Sequence, residues 1–262
     1  MDDLEPLEKR TLVDLLTTKL REEILDGRYA KGATLPPERE LADALRVNRT
    51  SLKHALMRLE QLGLIAIRHG IGSVVLDPAE SAGMELVAHL VFRADGIDAA
   101  MLDDLIEART LLGGLFARRA AERRSSAALA ALAAPLDELG REPMSAADAQ
   151  RLELEFFRAL VRATGNRIFS LAANSMYSIY RARAHVFEGA FDDRAFIRES
   201  LERVLSAVRD GAPDEAERAT LEYLKENGRR LSKSARLHAE REHAAGQRGL
   251  LRAARGRRGR VS

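Results

Sequence analysis

Apolar residues recur every three or four positions through most of this chain, which predicts helices, and β-type spacing occurs in one short region only. Leu12, Leu15, Leu16, Leu20, Ile24 and Leu25 fall at helical spacing over 11–27, where Gly27 can close the helix. A loop, YAKGATL, leads to a second helix. It starts near Pro37, because proline is tolerated at a helix entrance and not inside one, and it carries Leu41, Ala44 and Leu45. Val47 and Asn48 form a short connection. A third helix over about 49–61 turns Leu52, Ala55, Leu56 and Leu59 inward, leaving Arg49, Ser51, Lys53 and Arg58 for the outer face. Gly63 ends it, and IAIR and SVVL flank HGIG as a hairpin. Three helices and a hairpin predict a winged helix-turn-helix.

Beyond Pro78 the strand signal disappears. GMELVAHLVFRAD reads as a short helix, followed by helices near 98–123, 126–139, 146–164, 166–188, 192–210 and 213–240. Breaks are expected from Pro135 to Pro143, at Gly165, at Gly189 and at Gly211–Pro213. Apolar helices of this length need one another, so they predict a bundle. The fold class is therefore mainly α, in three parts: a reader over 1–78, an all-helical ligand-binding and dimerisation domain over 79–244, and a basic, disordered tail over 245–262.

Composition narrows the compartment and the partner. The 262 residues are 46% hydrophobic and 31% charged, as in a globular protein, with no apolar run of membrane-spanning length. MDDLEPLEKR has no signal core and the chain has no cysteine, which together predict a cytoplasmic location without disulfides. Net charge is only +2, yet Arg46, Arg49, Lys53, Arg58 and Arg68 face Glu60 alone between 46 and 69. That local asymmetry points to double-stranded DNA more than the total does.

A helix fits the major groove, and the residues at its start approach the base edges. Here those are Asn48, Arg49, Thr50 and Ser51. The Arg49 guanidinium matches the paired acceptors of guanine, the Thr50 methyl suits thymine, and Lys53 one turn on suits a phosphate. Arg39 on the second helix and Arg68, His69 and Gly70 at the hairpin tip complete the candidate surface.

Three stretches resemble the reader domain of the GntR superfamily: Pro36 to Leu41 (Pro-x-Glu-Arg-Glu-Leu), Val47 to Leu56 (Val-x-Arg-Thr-x-Leu-Lys-x-Ala-Leu) and Ile67 to Gly70 (Ile-x-His-Gly). The resemblance implies a homodimeric transcription regulator with a small-molecule-sensing C-terminal domain. It also implies that Arg39, Arg49, Thr50, Ser51, Lys53, His69 and Gly70 contact the operator. Ser81 to Leu86, Ala108-Arg109-Thr110 with Leu115-Phe116, Phe156 to Leu160, Thr164-Gly165-Asn166 and Met176 to Arg181 further resemble the FadR subfamily of fatty-acid-metabolism regulators.

That resemblance implies a long-chain acyl-CoA as effector, met by Arg109, Tyr180, Phe187, Tyr223, Leu224, Asn227 and Leu231. Leu224, Asn227 and Leu231 stand where the subfamily has a glycine, a serine and a tryptophan, so the pocket is remodelled. Many relatives bind a divalent metal with one aspartate and three histidines. The matching positions read Glu153, Phe157, Leu201 and Tyr223 here, so no metal is expected. His89, His185, His238 and His243 have no mutual ligand spacing.

The alternatives are a regulator answering an organic acid or other metabolite, an enzyme built on the bundle, and an architectural DNA binder. Against the enzyme, the chain has no His-Glu-x-x-His, Walker loop, dinucleotide fingerprint or G-x-S-x-G elbow.

Overall fold

A computed structural model describes residues 11–93 and 96–258, with side chains throughout except at 182, 242, 243 and 245–258. The chain divides into two units, 1–94 and 95–262.

In the first unit, α1 (Leu12–Leu25) begins with a reciprocal cap: Thr11 Oγ1 accepts from Asp14 N, and Asp14 Oδ2 accepts from Thr11 N. It buries Leu16, Leu20 and Ile24, while Leu12 and Leu15 of the expected apolar stripe stay on the surface. Pro37 caps α2 (Glu38–Leu45), as its fixed φ and missing N–H favour. Arg46 then turns left-handed at φ 53°, and α3 follows over Arg49–Gln61. Strands β1 (Ile65–Arg68) and β2 (Gly72–Val75) pair antiparallel, with Ile65 opposite Val75 and Arg68 opposite Gly72.

The loop before α2 also joins this ribbon. Leu35 N donates to Ser73 O and Val75 N to Ala33 O, both at 2.8 Å. No alternation marks that segment in the sequence, because a single bridging residue, Thr34 opposite Val74, leaves no period to read. Leu20, Ile24, Leu35, Leu41, Leu52, Leu56, Leu59, Leu64, Ile65 and Val75 form one core.

That core also takes Leu86 of α5 (Met84–Val91), which follows the short helix α4 (Pro78–Ser81). The compact unit built on this core runs to about residue 94. The cause lies at Gly63, whose φ of 71° and lack of Cβ let the end of α3 meet the 81–82 backbone. A Cβ there would lie 2.3 Å from Ser81 O, and the Ser81 hydroxyl donates to Gly63 O at 2.7 Å.

In the second unit, every described element is helical except the two-residue strand Gly96–Ile97. These are α6 (Ala99–Glu122), α7 (Ser126–Leu139), α8 (Ala146–Ala163), α9 (Arg167–Ala182), a 3-10 segment (Ala184–Phe191), α10 (Arg194–Asp210) and α11 (Pro213–Arg258). Side-chain oxygens of Asp98, Ser125, Ser145, Asn166 and Asp193 cap α6 to α10 in turn, so each start is written locally. α11 packs along α6, α10 and the 3-10 segment, and α8 packs against α6 and α7.

Two expectations change. Pro135 lies buried inside α7 instead of breaking it. The helix expected over 166–188 stops at Ala182 and tightens into the 3-10 segment. α11 runs to Arg258. No helix among the described residues is long and apolar enough to cross a membrane.

Burial of Leu86 in the first core predicts that Leu86→Ala destabilises that unit by about 2–5 kcal/mol. Hydrogen exchange should then quicken at the α1 and α3 amides. Acceleration confined to α6–α11 would contradict this placement.

Candidate nucleic-acid interface and bundle interior

The start of α3 is prepared as an open, positively polarised end. Asn48 Oδ1 accepts from Ser51 N at 2.7 Å, which leaves the first backbone N–H groups of the helix for an outside acceptor. The aligned peptide dipoles add partial positive charge there, favouring a phosphate. Asn48 is thus first a cap, with only its amide nitrogen left for a further contact.

Arg39, Arg49, Thr50, Lys53, Arg68, His69 and Gly70 are exposed, and Ser51 is half-buried. Among the described residues Arg39, Arg49, Lys53 and Arg68 form no ion pair, so their charges are available to a partner. Arg58 behaves differently: it pairs with Asp14 of α1. Hydrogen bonds from Thr11 and Arg58 pull the Asp14 carboxyl down to about 2. Arg58 thus lies on the outer face, as expected, with its charge shared with Asp14.

The wing is tied to α3 by Glu60, whose Oε1 accepts from Ile67 N at 2.8 Å. Gly70 and Gly72 take φ values of 75° and 108° at the tip, which residues with a Cβ rarely adopt. Arg46 also belongs to the candidate surface, although the motif reading omitted it. It is exposed, has no ion pair among the described residues and sits in the turn between α2 and α3. Its place in that tight turn was the available signal.

The interior of the second unit holds a polar centre. Arg109 of α6 donates from Nη2 to Glu153 Oε1 of α8 at 2.5 Å and from Nη1 to Asn227 Oδ1 of α11 at 2.9 Å. The Tyr223 hydroxyl donates to the same Glu153 oxygen at 3.2 Å. Phe157 stacks on Tyr223 at 6.0 Å and lies 5.7 Å beneath the Arg109 guanidinium. Burial pushes the Glu153 carboxyl up, while Arg109 and Tyr223 pull it back. Burial also works against the Arg109 charge, but Glu153 overcomes it and raises the guanidinium pKa. Burial raises the Tyr223 phenol, which keeps it a neutral donor.

Nearby, Tyr180 stacks on Phe187 at 5.3 Å and takes a hydrogen bond from Gln150 Nε2 at 2.9 Å. Of the residues expected to meet an effector, Arg109, Tyr223 and Asn227 thus converge, and Tyr180 and Phe187 pair with each other. Leu224 instead fills the seam against Gly113 of α6, where an added Cβ would come within 2.3 Å of it, and Leu231 is buried. Glu153 and Gln150 were not among the expected effector residues. They were legible as two polar side chains on the apolar face of α8, beside Ala149, Leu152 and Phe156.

Glu153, Phe157, Leu201 and Tyr223 are all buried. Among the described residues no three His, Asp or Glu side chains are grouped to hold a metal ion. His185 and His238 do approach, with ring centroids 5.3 Å apart, although no spacing along the chain relates them. The side chain of His243 lies outside the described residues.

A capped helix with exposed cations at its start, a wing beside it and a separate helical unit define the winged-helix class of two-domain regulators. Residues 13–75 match the model of bacterial regulatory proteins of the gntR family, and residues 104–226 match the FCD domain. An uncharacterized HTH-type transcriptional regulator of Mycobacterium tuberculosis is 38% identical over 88% of this chain and 94% of its own length. The fatty acid metabolism regulator protein of Escherichia fergusonii is 30% identical over 79% of this chain and 85% of its own. A solved structure of Lar, which controls the expression of the Listeria monocytogenes agr system, has a TM-score of 0.56 at 16% identity. It covers 86% of this chain and 99% of that one, which shows the shared fold.

The chain therefore belongs to the GntR family: it is a DNA-binding transcriptional regulator with an FCD effector-binding domain.

Two outcomes follow from these contacts. Glu153→Ala leaves Arg109 without its buried counter-ion and should lower stability by about 3–5 kcal/mol. Replacing Arg109 and Glu153 together by methionine should recover most of that loss, as read by urea denaturation. A loss below about 1 kcal/mol in the single variant would mean that the pair is not buried as described. At the reader, Asn48→Ala should lower stability by about 1 kcal/mol through the lost cap. An unchanged unfolding midpoint would contradict that role.

Proposed function

We propose that the protein binds a near-palindromic operator as a homodimer and releases or retains it according to a long-chain fatty acyl-CoA in its helical domain. Arg49, Thr50 and Ser51 read base edges, Lys53 and the free N–H groups of α3 hold phosphates, and the Arg68–His69–Gly70 tip follows the neighbouring groove. Arg39 and Arg46 add charge on the approach. The single observation that carries the DNA reading is the capped start of α3, with exposed cations that have no ion pair among the described residues.

The acyl reading is supported by the named fatty-acid relative and by apolar Phe157 and Leu201 at positions where metal-holding relatives have histidines. Ligand acts only by differing in affinity for DNA-competent and DNA-incompetent arrangements. A second reading, an organic-acid effector, is favoured by one feature: the Arg109–Asn227 polar centre in the bundle.

Titration of an operator selected from random duplexes, at several salt concentrations and with or without long-chain acyl-CoA, tests the proposal. Arg49→Ala should lose about 1–3 kcal/mol of binding to the preferred sequence and relax its preference. Lys53→Ala should weaken all sequences alike and make the salt slope shallower. Acyl-CoA should change the operator affinity of the parent protein. Unchanged specific binding in a folded Arg49→Ala protein overturns the reader assignment, and DNA affinity insensitive to acyl-CoA overturns the effector assignment.

A further inference from the structure

α11 outlasts the core that it helps to build. Its last buried side chain among those described is Ala235, and the helix runs on to Arg258, about 35 Å further at about 1.5 Å per residue. The charge of that extension is one-sided. Of the chain's 42 lysines and arginines six lie in 243–262, all of them arginine, and none of its 40 aspartates and glutamates does. The rest of the chain carries 36 basic residues against those 40 acidic ones, so the positive total of +2 comes from this arm. Arg241, Arg248, Arg252 and Arg255 follow one another at intervals of seven, four and three residues, which return to one face of a helix.

We infer that this arm is a second DNA contact, which grips duplex phosphates without sequence preference. It goes beyond the base reading proposed for α3 and does not depend on it. A duplex presents one phosphate charge per about 1.7 Å of its axis, so arginines one to two helical turns apart each find an acceptor. Arginine forks onto phosphate oxygens through paired donors, which suits an arm with no lysine. An anionic membrane is the other extended acidic surface, and it demands an apolar face to insert. Between 243 and 262 the large apolar residues are Leu250, Leu251 and Val261 alone, with no aromatic. The two leucines are neighbours in sequence, hence about 100° apart around a helix, and form no such face. A net acidic remainder also gives the arm its use, because the arm offsets repulsion between that remainder and the duplex.

Fluorescence anisotropy of the full chain on random-sequence duplexes, across a range of salt concentrations, tests this. The comparison set is a chain with all six arginines replaced (Arg248→Gln, with the same change at Arg252, Arg255, Arg257, Arg258 and Arg260), its all-lysine counterpart and a chain ending at Ala244. The glutamine and shortened chains should bind duplex about tenfold or more weakly at low salt, with the slope of log affinity against log salt shallower by up to about 5 per chain. Lysine should restore most of the affinity, since it keeps the charge. Thermal midpoints should match the parent's, as no described side chain beyond Ala235 is buried.

Duplex affinity and salt slope unchanged in the glutamine chain overturn the inference, whether or not the shortened chain loses affinity. A loss seen on phosphatidylglycerol vesicles and not on duplex overturns it too, in favour of a membrane surface. Arm-dependent binding of random duplex in a protein that prefers no sequence supports it while removing the base reading proposed for α3.

Discussion

A helix can bury only one face, and in α3 that constraint organises the whole reader. Leu52, Ala55, Leu56 and Leu59 lie in the core with almost no exposed surface, which fixes the rotation of the helix about its axis. Arg49, Thr50 and Lys53 are then left outside it. The supporting parts act on the same element. Asn48 holds its first turn, Glu60 ties the wing to it, and Gly63 lets its end meet the 81–82 backbone. Each fully buried leucine contributes about 1.5–3 kcal/mol, so the stripe outweighs any single surface ion pair around it.

The second unit solves a different problem, since its interior contains charge. Arg109, Glu153, Tyr223 and Asn227 come from three helices and are joined by hydrogen bonds of 2.5–3.2 Å. Such a centre adds little net stability over an apolar core, yet it penalises any arrangement that separates its members. Aromatic rings surround it: Tyr223 lies between Phe157 and Phe196, and the latter carries the Arg230 guanidinium 4.1 Å from its centroid. Packed this way, α6, α8 and α11 share one polar reference point, so a group entering there acts on all three helices at once.

Much of this was written locally, and what was not depends on distance along the chain. α3 appears over 49–61 as expected because cap, apolar period and closing glycine all lie within sixteen residues. The starts of α6 to α10 were legible for the same reason, each marked by a capping side chain. Leu12 and Leu15 fit the helical period but stay exposed, since periodicity cannot say how wide a stripe the core will cover. The attachment of Leu86 to the reader depended on a close approach at Gly63, which no local pattern announces. Arg109 meets Glu153 across 44 residues and Asn227 across 118. The sequence offered only the residue types there, and the resemblance supplied Arg109 and Asn227 without their mutual contact.

The central claim is that the first turn of α3 lies against DNA. The chain contains no cysteine, so a single thiol can be placed there by Thr50→Cys without interference. Its rate of alkylation, measured with and without operator duplex, reports contact directly. The account predicts strong protection by operator, with no protection of a thiol introduced by Glu222→Cys on the exposed side of α11. Equal alkylation at position 50 with operator bound and absent, while specific binding is retained, would contradict it.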